Sequence, residues 1–152
     1  MLRLSKLTDY ATVLLGFMAR QQAEIHAAVE IAQATDIGLP TVSKLLKLLC
    51  RSGLVHSIRG AKGGYCLSAP PGKISVADII QAIEGPIALT ECSISDDYCR
   101  QSGHCDIRSN WRVINQAVRT ALESVSLADL TFANKASTPL EFKVSVKNLT
   151  RG

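Results

Sequence analysis

Apolar side chains recur every three to four positions along the first third of the chain, which predicts a series of amphipathic helices. The first helix is predicted over residues 4–20, with Ser5 as its N-cap. A short second helix is predicted over residues 27–34. A third is expected over residues 40–51, opened by a proline whose missing N–H is not needed there. The turn before it contains Gly38, to which we assign unusual backbone dihedral angles.

The hydrophobic pattern changes after Gly53, which is expected to stop the third helix. Residues 54–58 approach the alternation of a β-strand, and a second short strand is predicted over residues 65–67. Between them lies the sequence RGAKGG, which predicts a β-hairpin with a glycine-rich, basic tip. A phosphate-binding loop is excluded, because the glycines and lysine lack the Walker order and no helix follows.

Two helices joined by a tight turn and followed by a hairpin predict a winged helix-turn-helix. The second helix of that motif enters the DNA major groove, and its N-terminal residues contact base edges. Arg59 at the wing tip suits a minor groove, and Lys62 suits a phosphate. The alternative is an ordinary solvated helix face. The predicted DNA contacts from the residues alone are Thr41, Ser43, Lys44, Lys47, Arg59 and Lys62.

Two further helices are predicted in the second half of the chain. Ser75 caps a helix over residues 76–84, and a longer helix covers about residues 106–125. The long helix carries an apolar stripe that includes Trp111 and Ile114. A small winged-helix core leaves little surface for it to cover, so we infer a dimerisation helix. The alternative is a helix folded onto its own core.

These elements predict a mainly α fold, a winged helix-turn-helix with a small β-hairpin wing and a long C-terminal dimerisation helix. Residues 1–85 are expected to form the DNA-binding domain and residues 86–105 a cysteine loop. Residues 106–130 would form the dimerisation helix. Residues 131–152 have a mixed polar composition and are expected to be a flexible tail.

The cysteine loop contains Cys92, Cys99 and Cys105, separated by six and five residues. Structural zinc sites normally use closer pairs, whereas iron–sulfur clusters are held by thiolates and tolerate wider spacing. Three thiolates leave room for a fourth ligand, and His104 is adjacent to Cys105. The alternatives are buried structural cysteines or a disulfide. Disulfides are disfavoured by the odd total of five cysteines and by the absence of a secretory signal.

Bulk composition narrows the function further. The chain has 152 residues, enough for one domain with an appendage, and its net charge of +4 permits nucleic-acid binding. No apolar run approaches the ~20 residues of a membrane span. Unpaired cysteines indicate the cytoplasm. The three histidines are scattered and form no catalytic constellation, so an enzyme is not predicted.

Several stretches resemble the IscR/NsrR family of iron–sulfur winged-helix transcription regulators. They are LTDYA at 7–11, GLVHSIRGAKGGYCL at 53–67, ISVADIIQAIEGP at 74–86, and the three-cysteine loop. Within that family the chain is most similar to the regulator of the SUF iron–sulfur assembly operon. The resemblance places the start of the recognition helix at residues 40–44, which adds Pro40 to the DNA contacts, and the wing arginine at Arg59.

The same resemblance implies that Cys92, Cys99 and Cys105 bind an iron–sulfur cluster. Some members have a histidine ligand where this chain has Arg108. In nitric-oxide-sensing relatives an aspartate of the partner subunit completes the site, and Asp9 occupies that position. We therefore rank Asp9 first as the fourth ligand and His104 second. A 2Fe–2S cluster is preferred over 4Fe–4S.

The expected function is a homodimeric repressor of iron–sulfur assembly genes that binds a palindromic double-stranded operator and senses cluster status. Other possibilities stay open. The cysteines could serve a thiol-redox or metal-responsive winged-helix regulator, or the chain could be a cluster-free member. A nitric-oxide-sensing regulator of the same family is a further alternative.

Overall fold

The computed structural model describes residues 3–22, 24–90 and 108–132. Within these ranges the chain is mostly helical, with one two-stranded antiparallel sheet. The helices are α1 (Lys6–Arg20), α2 (Ala28–Thr35), α3 (Leu39–Arg51), α4 (Val76–Glu84), α5 (Arg108–Glu123) and α6 (Leu127–Phe132), and the strands are β1 (Val55–Ile58) and β2 (Gly64–Leu67). The predicted winged helix-turn-helix fold class is confirmed. The predicted tail at residues 131–152 lies outside the described residues, apart from its first two positions.

One hydrophobic core joins α1 to the helix-turn-helix, the wing and the C-terminal segment. The apolar faces of α1 and α3 supply most of it, because their leucines recur at helical spacing. The side chains that are fully inaccessible to solvent include Ala11, Leu14, Leu15, Ile31, Val42, Leu45, Leu46, Leu49 and Leu127. The exposed faces of the same helices are thereby left free to carry function.

Local capping sets the helix boundaries. Ser5 accepts a hydrogen bond from the Thr8 N–H at 3.3 Å, so α1 starts at Lys6, two residues later than predicted. Ser75 and Asp78 form a reciprocal capping box at the start of α4. The predicted bounds of α4 are confirmed.

The turn between α2 and α3 differs from the prediction. The positive φ of 56° belongs to Asp36, whereas Gly38 has a φ of −55°. Aspartate tolerates the left-handed region better than most residues, so Asp36 can end α2. Gly38 instead precedes α3 as its N-cap, and its carbonyl accepts from the Thr41 N–H at 2.9 Å. The assignment of the unusual angles to Gly38 is therefore wrong.

The C-terminal helices return to the winged-helix core. The Leu127 N–H donates to the Ile74 carbonyl at 2.7 Å, and the Val76 N–H donates to the Val125 carbonyl at 2.8 Å. The Leu127 side chain is fully buried. The first turns of α5, by contrast, leave Trp111 40% exposed. The long helix is thus anchored at one end, while its other end presents apolar side chains outward.

Glu84 joins the end of α4 to the start of α1. Its carboxylate accepts from the Thr8 hydroxyl at 2.5 Å and from the Ser5 N–H at 2.7 Å. These two hydrogen bonds favour the charged form and lower the pKa of Glu84 below its ordinary value.

Replacing Glu84 by glutamine should lower the free energy of unfolding at neutral pH by up to ~1 kcal/mol, because solvent screens this exposed contact. A lowered pKa in the folded state means that the stabilisation is complete above the ordinary glutamate pKa and is lost as pH falls through the lowered one. Chemical denaturation of both proteins between pH 7 and acid should show the difference shrinking. A difference independent of pH would contradict this role.

Candidate nucleic-acid interface

Helix α3 presents a polar face away from the core. Val42, Leu45, Leu46 and Leu49 are buried, so the opposite side of the helix faces solvent. The exposed residues on it are Pro40, Lys44, Lys47 and Arg51, and Thr41 and Ser43 are half-buried beside them. Arg51 was missed by the sequence reasoning, although its spacing of four residues from Lys47 could have revealed it. The face carries three cationic side chains at helical spacing.

The wing is a short antiparallel hairpin whose tip is basic. Gly63 donates its N–H to the Gly60 carbonyl at 3.0 Å, and Gly60 has a φ of 116°, which favours glycine. A Cβ at Gly63 would collide with the carbonyl oxygen of Ile58. Arg59 and Lys62 are both exposed on this compact tip. The paired residues of the strands are Val55 with Leu67, His56 with Cys66, Ser57 with Tyr65, and Ile58 with Gly64.

His26 attaches the wing to the helical part of the domain. Its N–H donates to the Tyr65 carbonyl at 2.9 Å, and the Tyr65 N–H donates back at 2.8 Å. Its ring is 1% exposed and meets the Phe17 ring edge-on, with centroids 5.1 Å apart. The wing is therefore held by backbone pairing outside its own two strands. Sequence reasoning missed this joint, because nothing local marks a bridge between residues 39 positions apart.

The three cysteines Cys92, Cys99 and Cys105, together with His104, lie outside the described residues. Asp9 is described and is exposed in the first turn of α1. Its neighbour Thr8 is bonded to Glu84, the last residue of α4. The chain leaves α4 at Glu84 and continues toward the cysteines. We call residues 85–90, the last described residues before them, the root of the cysteine stretch. The start of α1 therefore lies close to this root.

Helix α5 holds that root from the other side. The Asn115 side-chain oxygen accepts from the Leu89 N–H at 3.0 Å, and its NH2 donates to the Ile87 carbonyl at 3.2 Å. Val118 and Leu122 of the same helix line a cavity of about 340 Å³ with the end of α4 and the start of the chain. Asn115 was not singled out from the sequence. It fixes the backbone just before the cysteine stretch begins.

Cys50 and Cys66 are half-buried and unpaired. Burial raises the pKa of the Cys50 thiol, with a smaller contribution from the neighbouring Cys66. The thiol is therefore kept protonated, and protonated thiols are poor nucleophiles and poor metal ligands. Cys50 lies in α3 and Cys66 in β2 of the wing.

A family model described as Rrf2, an iron-dependent transcriptional regulator, matches residues 4–133. That match covers most of the chain. The chain belongs to the Rrf2 family. The predicted resemblance to the IscR/NsrR regulators is confirmed, because Rrf2 includes them.

Individual relatives agree with the Rrf2 assignment. The chain is 30% identical over 130 residues to the transcriptional regulator IscR of Xenorhabdus nematophila, covering 85% of this chain and 79% of the relative. It is 32% identical over 130 residues to the transcriptional regulator CymR of Bacillus subtilis, covering 85% and 89%. The structure of B. subtilis CymR, the global cysteine regulator, superposes with a TM-score of 0.67 at 32% identity, covering 88% of this chain and 99% of that one. The structure of T. potens IscR gives a TM-score of 0.63 at 29% identity, covering 90% and 92%.

This Rrf2 protein is a DNA-binding transcription regulator rather than an enzyme, as its named relatives are regulators. The exposed cationic face of α3 and the basic wing tip agree with that function. Among the described helices, none combines the length and apolar character needed to cross a membrane.

Proposed function

We propose that the protein is a homodimeric repressor of iron–sulfur assembly genes that responds to an iron–sulfur cluster. The observation that carries this proposal is the anchoring of residues 84–90, from which the chain continues to the cysteines. These residues are bonded to α1 through Glu84 and to α5 through Asn115, so a cluster bound by the cysteines that follow would be linked to both helices. Helix α1 in turn packs in the same core as α2 and α3, the two helices of the helix-turn-helix.

The donor set fits such a cluster. Three thiolates from Cys92, Cys99 and Cys105 are the soft ligands that iron–sulfur clusters require, and the exposed Asp9 offers a carboxylate as a fourth, weaker ligand. His104 is the second candidate for that position. A cluster bound there, preferably 2Fe–2S, would supply a redox-active and labile iron centre.

DNA recognition is assigned to α3 and the wing. Thr41 and Ser43 can donate to base edges, while Lys44, Lys47 and Lys62 can neutralise phosphates. Pro40 starts the recognition helix, and Arg59 would enter the minor groove. The operator is proposed to be palindromic because a two-fold dimer presents two recognition helices, each with its wing.

The exposed apolar residues of α5 support a dimer. Trp111 is 40% exposed and Ile114 45%, and their spacing of three residues places them on one face of the helix. Such a patch is costly to leave in water, and a second copy of the same helix would cover it through a two-fold interface. The dimerisation role of this helix, predicted for residues 106–130, is retained in the proposal.

The test is anaerobic purification, followed by a visible spectrum and by iron and sulfide determination per chain. A 2Fe–2S cluster would give about two irons per chain and a 4Fe–4S cluster about four. Operator fragments selected from genomic DNA would then be titrated with the same sample before and after cluster removal. We expect a change in affinity of about 5- to 150-fold, a coupling of ~1–3 kcal/mol.

Cys92→Ser should lose the iron and sulfide, whereas the matched control Cys50→Ser, which alters a half-buried cysteine in α3, should keep them. Asp9→Ala and His104→Ala compare the two candidate fourth ligands. Colourless protein that still binds operator tightly would contradict the cluster. It would favour a thiol-redox, metal-responsive or cluster-free regulator instead. A cluster whose destruction by nitric oxide alone changes DNA binding would favour the nitric-oxide sensor.

A further inference from the structure

A second group of candidate metal-binding side chains lies around the start of α2, where His26 pairs with Tyr65 of the wing. Glu24, His26 and Glu30 each offer one ligand atom, and these atoms all lie within 4.8 Å of one another. The two carboxylates are exposed, while His26 is 1% exposed. The group therefore combines a buried imidazole with two carboxylates that solvent can reach.

The His26 ring has an oxygen atom beside each of its two nitrogens. Its Nε2 faces the Gln21 carbonyl at 3.4 Å, and its Nδ1 faces a Glu30 carboxylate oxygen at 3.0 Å. A neutral imidazole carries only one N–H, so it cannot donate to both oxygens. If Nε2–H donates to the backbone carbonyl, the Nδ1 lone pair points at a carboxylate, a contact that a cation between them makes favourable. Histidine ligands of metals commonly donate their other N–H in this way.

We propose that Glu24, His26 and Glu30 bind one divalent transition-metal ion. A nitrogen and two carboxylate oxygens make up the donor set, which suits ions such as Mn²⁺, Fe²⁺ or Zn²⁺, with water completing the coordination. Ligand atoms at ~2.1 Å from a shared ion are at most ~4.2 Å apart. The group needs only a small closing movement, and the exposed glutamate side chains can make it.

The position of this ion gives it a structural consequence. Glu30 belongs to α2, which precedes the recognition helix, whereas the backbone of His26 pairs with Tyr65 of the wing. An ion on these three side chains would order residues 24–30, whose backbone at His26 pairs with the wing. Because the backbone pairing with Tyr65 holds His26 in place, metal binding and docking of the wing would favour each other by mass action.

The probe for the test is Mn²⁺, because thiolates prefer softer ions and the cysteine stretch would compete for zinc. Full-length protein, stripped of metal by a chelator, would be titrated anaerobically while electron paramagnetic resonance measures free Mn²⁺. We expect one saturable site. Glu24→Gln combined with Glu30→Gln should weaken it by ~10-fold or more. The matched control is Glu123→Gln, which changes an exposed glutamate of α5 and should bind as the wild type does.

Glu24→Gln alone keeps the test valid if the double variant fails to fold, because the Glu24 side chain makes no hydrogen bond within the described part of the chain. Amide signals of residues 24–30 and of Tyr65 should broaden as Mn²⁺ is added to the wild type. No binding at millimolar Mn²⁺ would overturn the proposal. Equal binding by wild type and both variants, or broadening centred elsewhere, would overturn it as well, and the contact at His26 would then be a hydrogen-bonded joint only.

Discussion

Arg59→Ala is expected to weaken operator binding by about 5- to 150-fold for each subunit that contacts its half-site, which is ~1–3 kcal/mol. Arg59 is exposed at the start of the wing tip, directly after β1. The turn at the tip is closed by the hydrogen bond from Gly63 to Gly60, so little backbone freedom is lost when the guanidinium enters a groove. Binding would be measured by fluorescence anisotropy at one fixed salt concentration, because electrostatic affinity depends strongly on salt.

The matched control for Arg59→Ala is Lys73→Ala. It removes the same single positive charge from an exposed position in the 3-10 turn after the wing, outside the proposed contacts. A general loss of positive charge would weaken binding similarly in both variants. Equal affinities for Arg59→Ala and the wild type would show that the wing does not contact DNA.

Gly64→Ala is expected to detach the wing from the helical part of the domain. A Cβ at this position would lie 2.6 Å from the His26 carbonyl oxygen and 2.9 Å from an Ile25 side-chain carbon. The nearer atom is backbone, so the bridge between His26 and Tyr65 has to open. We expect the free energy of unfolding to fall by ~1–3 kcal/mol, as in other overpacked sites, with a loss of operator affinity because Arg59 is no longer held.

Gly72→Ala is the matched control for that change, because a Cβ there has no atom within 4 Å. Both variants add one methyl group and restrict the unfolded chain equally. Urea denaturation and operator titration of the two proteins would isolate the clash. Equal stability of Gly64→Ala and Gly72→Ala would mean that the wing tolerates displacement from His26.

Much of the fold could be predicted from local signals. Ser5 and Ser75 mark helix starts because their hydroxyls bond to N–H groups three residues later. The glycine-rich tip predicts a hairpin because its turn requires backbone angles that other residues adopt poorly. The Gly38 prediction failed because two residues of that turn tolerate special geometry. In the folded chain Asp36, rather than the glycine, takes the left-handed conformation.

The candidate interface was predictable in part. The chemistry of Lys44, Lys47 and Arg59 can be read from the sequence, and the structure shows that all three are exposed. Their roles in binding DNA, like the roles of the cysteines, remain predictions. The joint at His26 was not predictable, since a histidine that precedes a helix has no local feature that indicates a partner in the wing.

The sequence by itself determined most of the helices, the serine caps of α1 and α4, the basic hairpin and the set of thiols. These depend on hydrogen bonds and side-chain spacing within a few residues. Only the tertiary structure decided which elements meet. It joined α1 to the root of the cysteine stretch through Glu84, held that root with Asn115, and docked the wing on His26. Such contacts link residues far apart in the chain, where the folded core rather than local preference sets the distance.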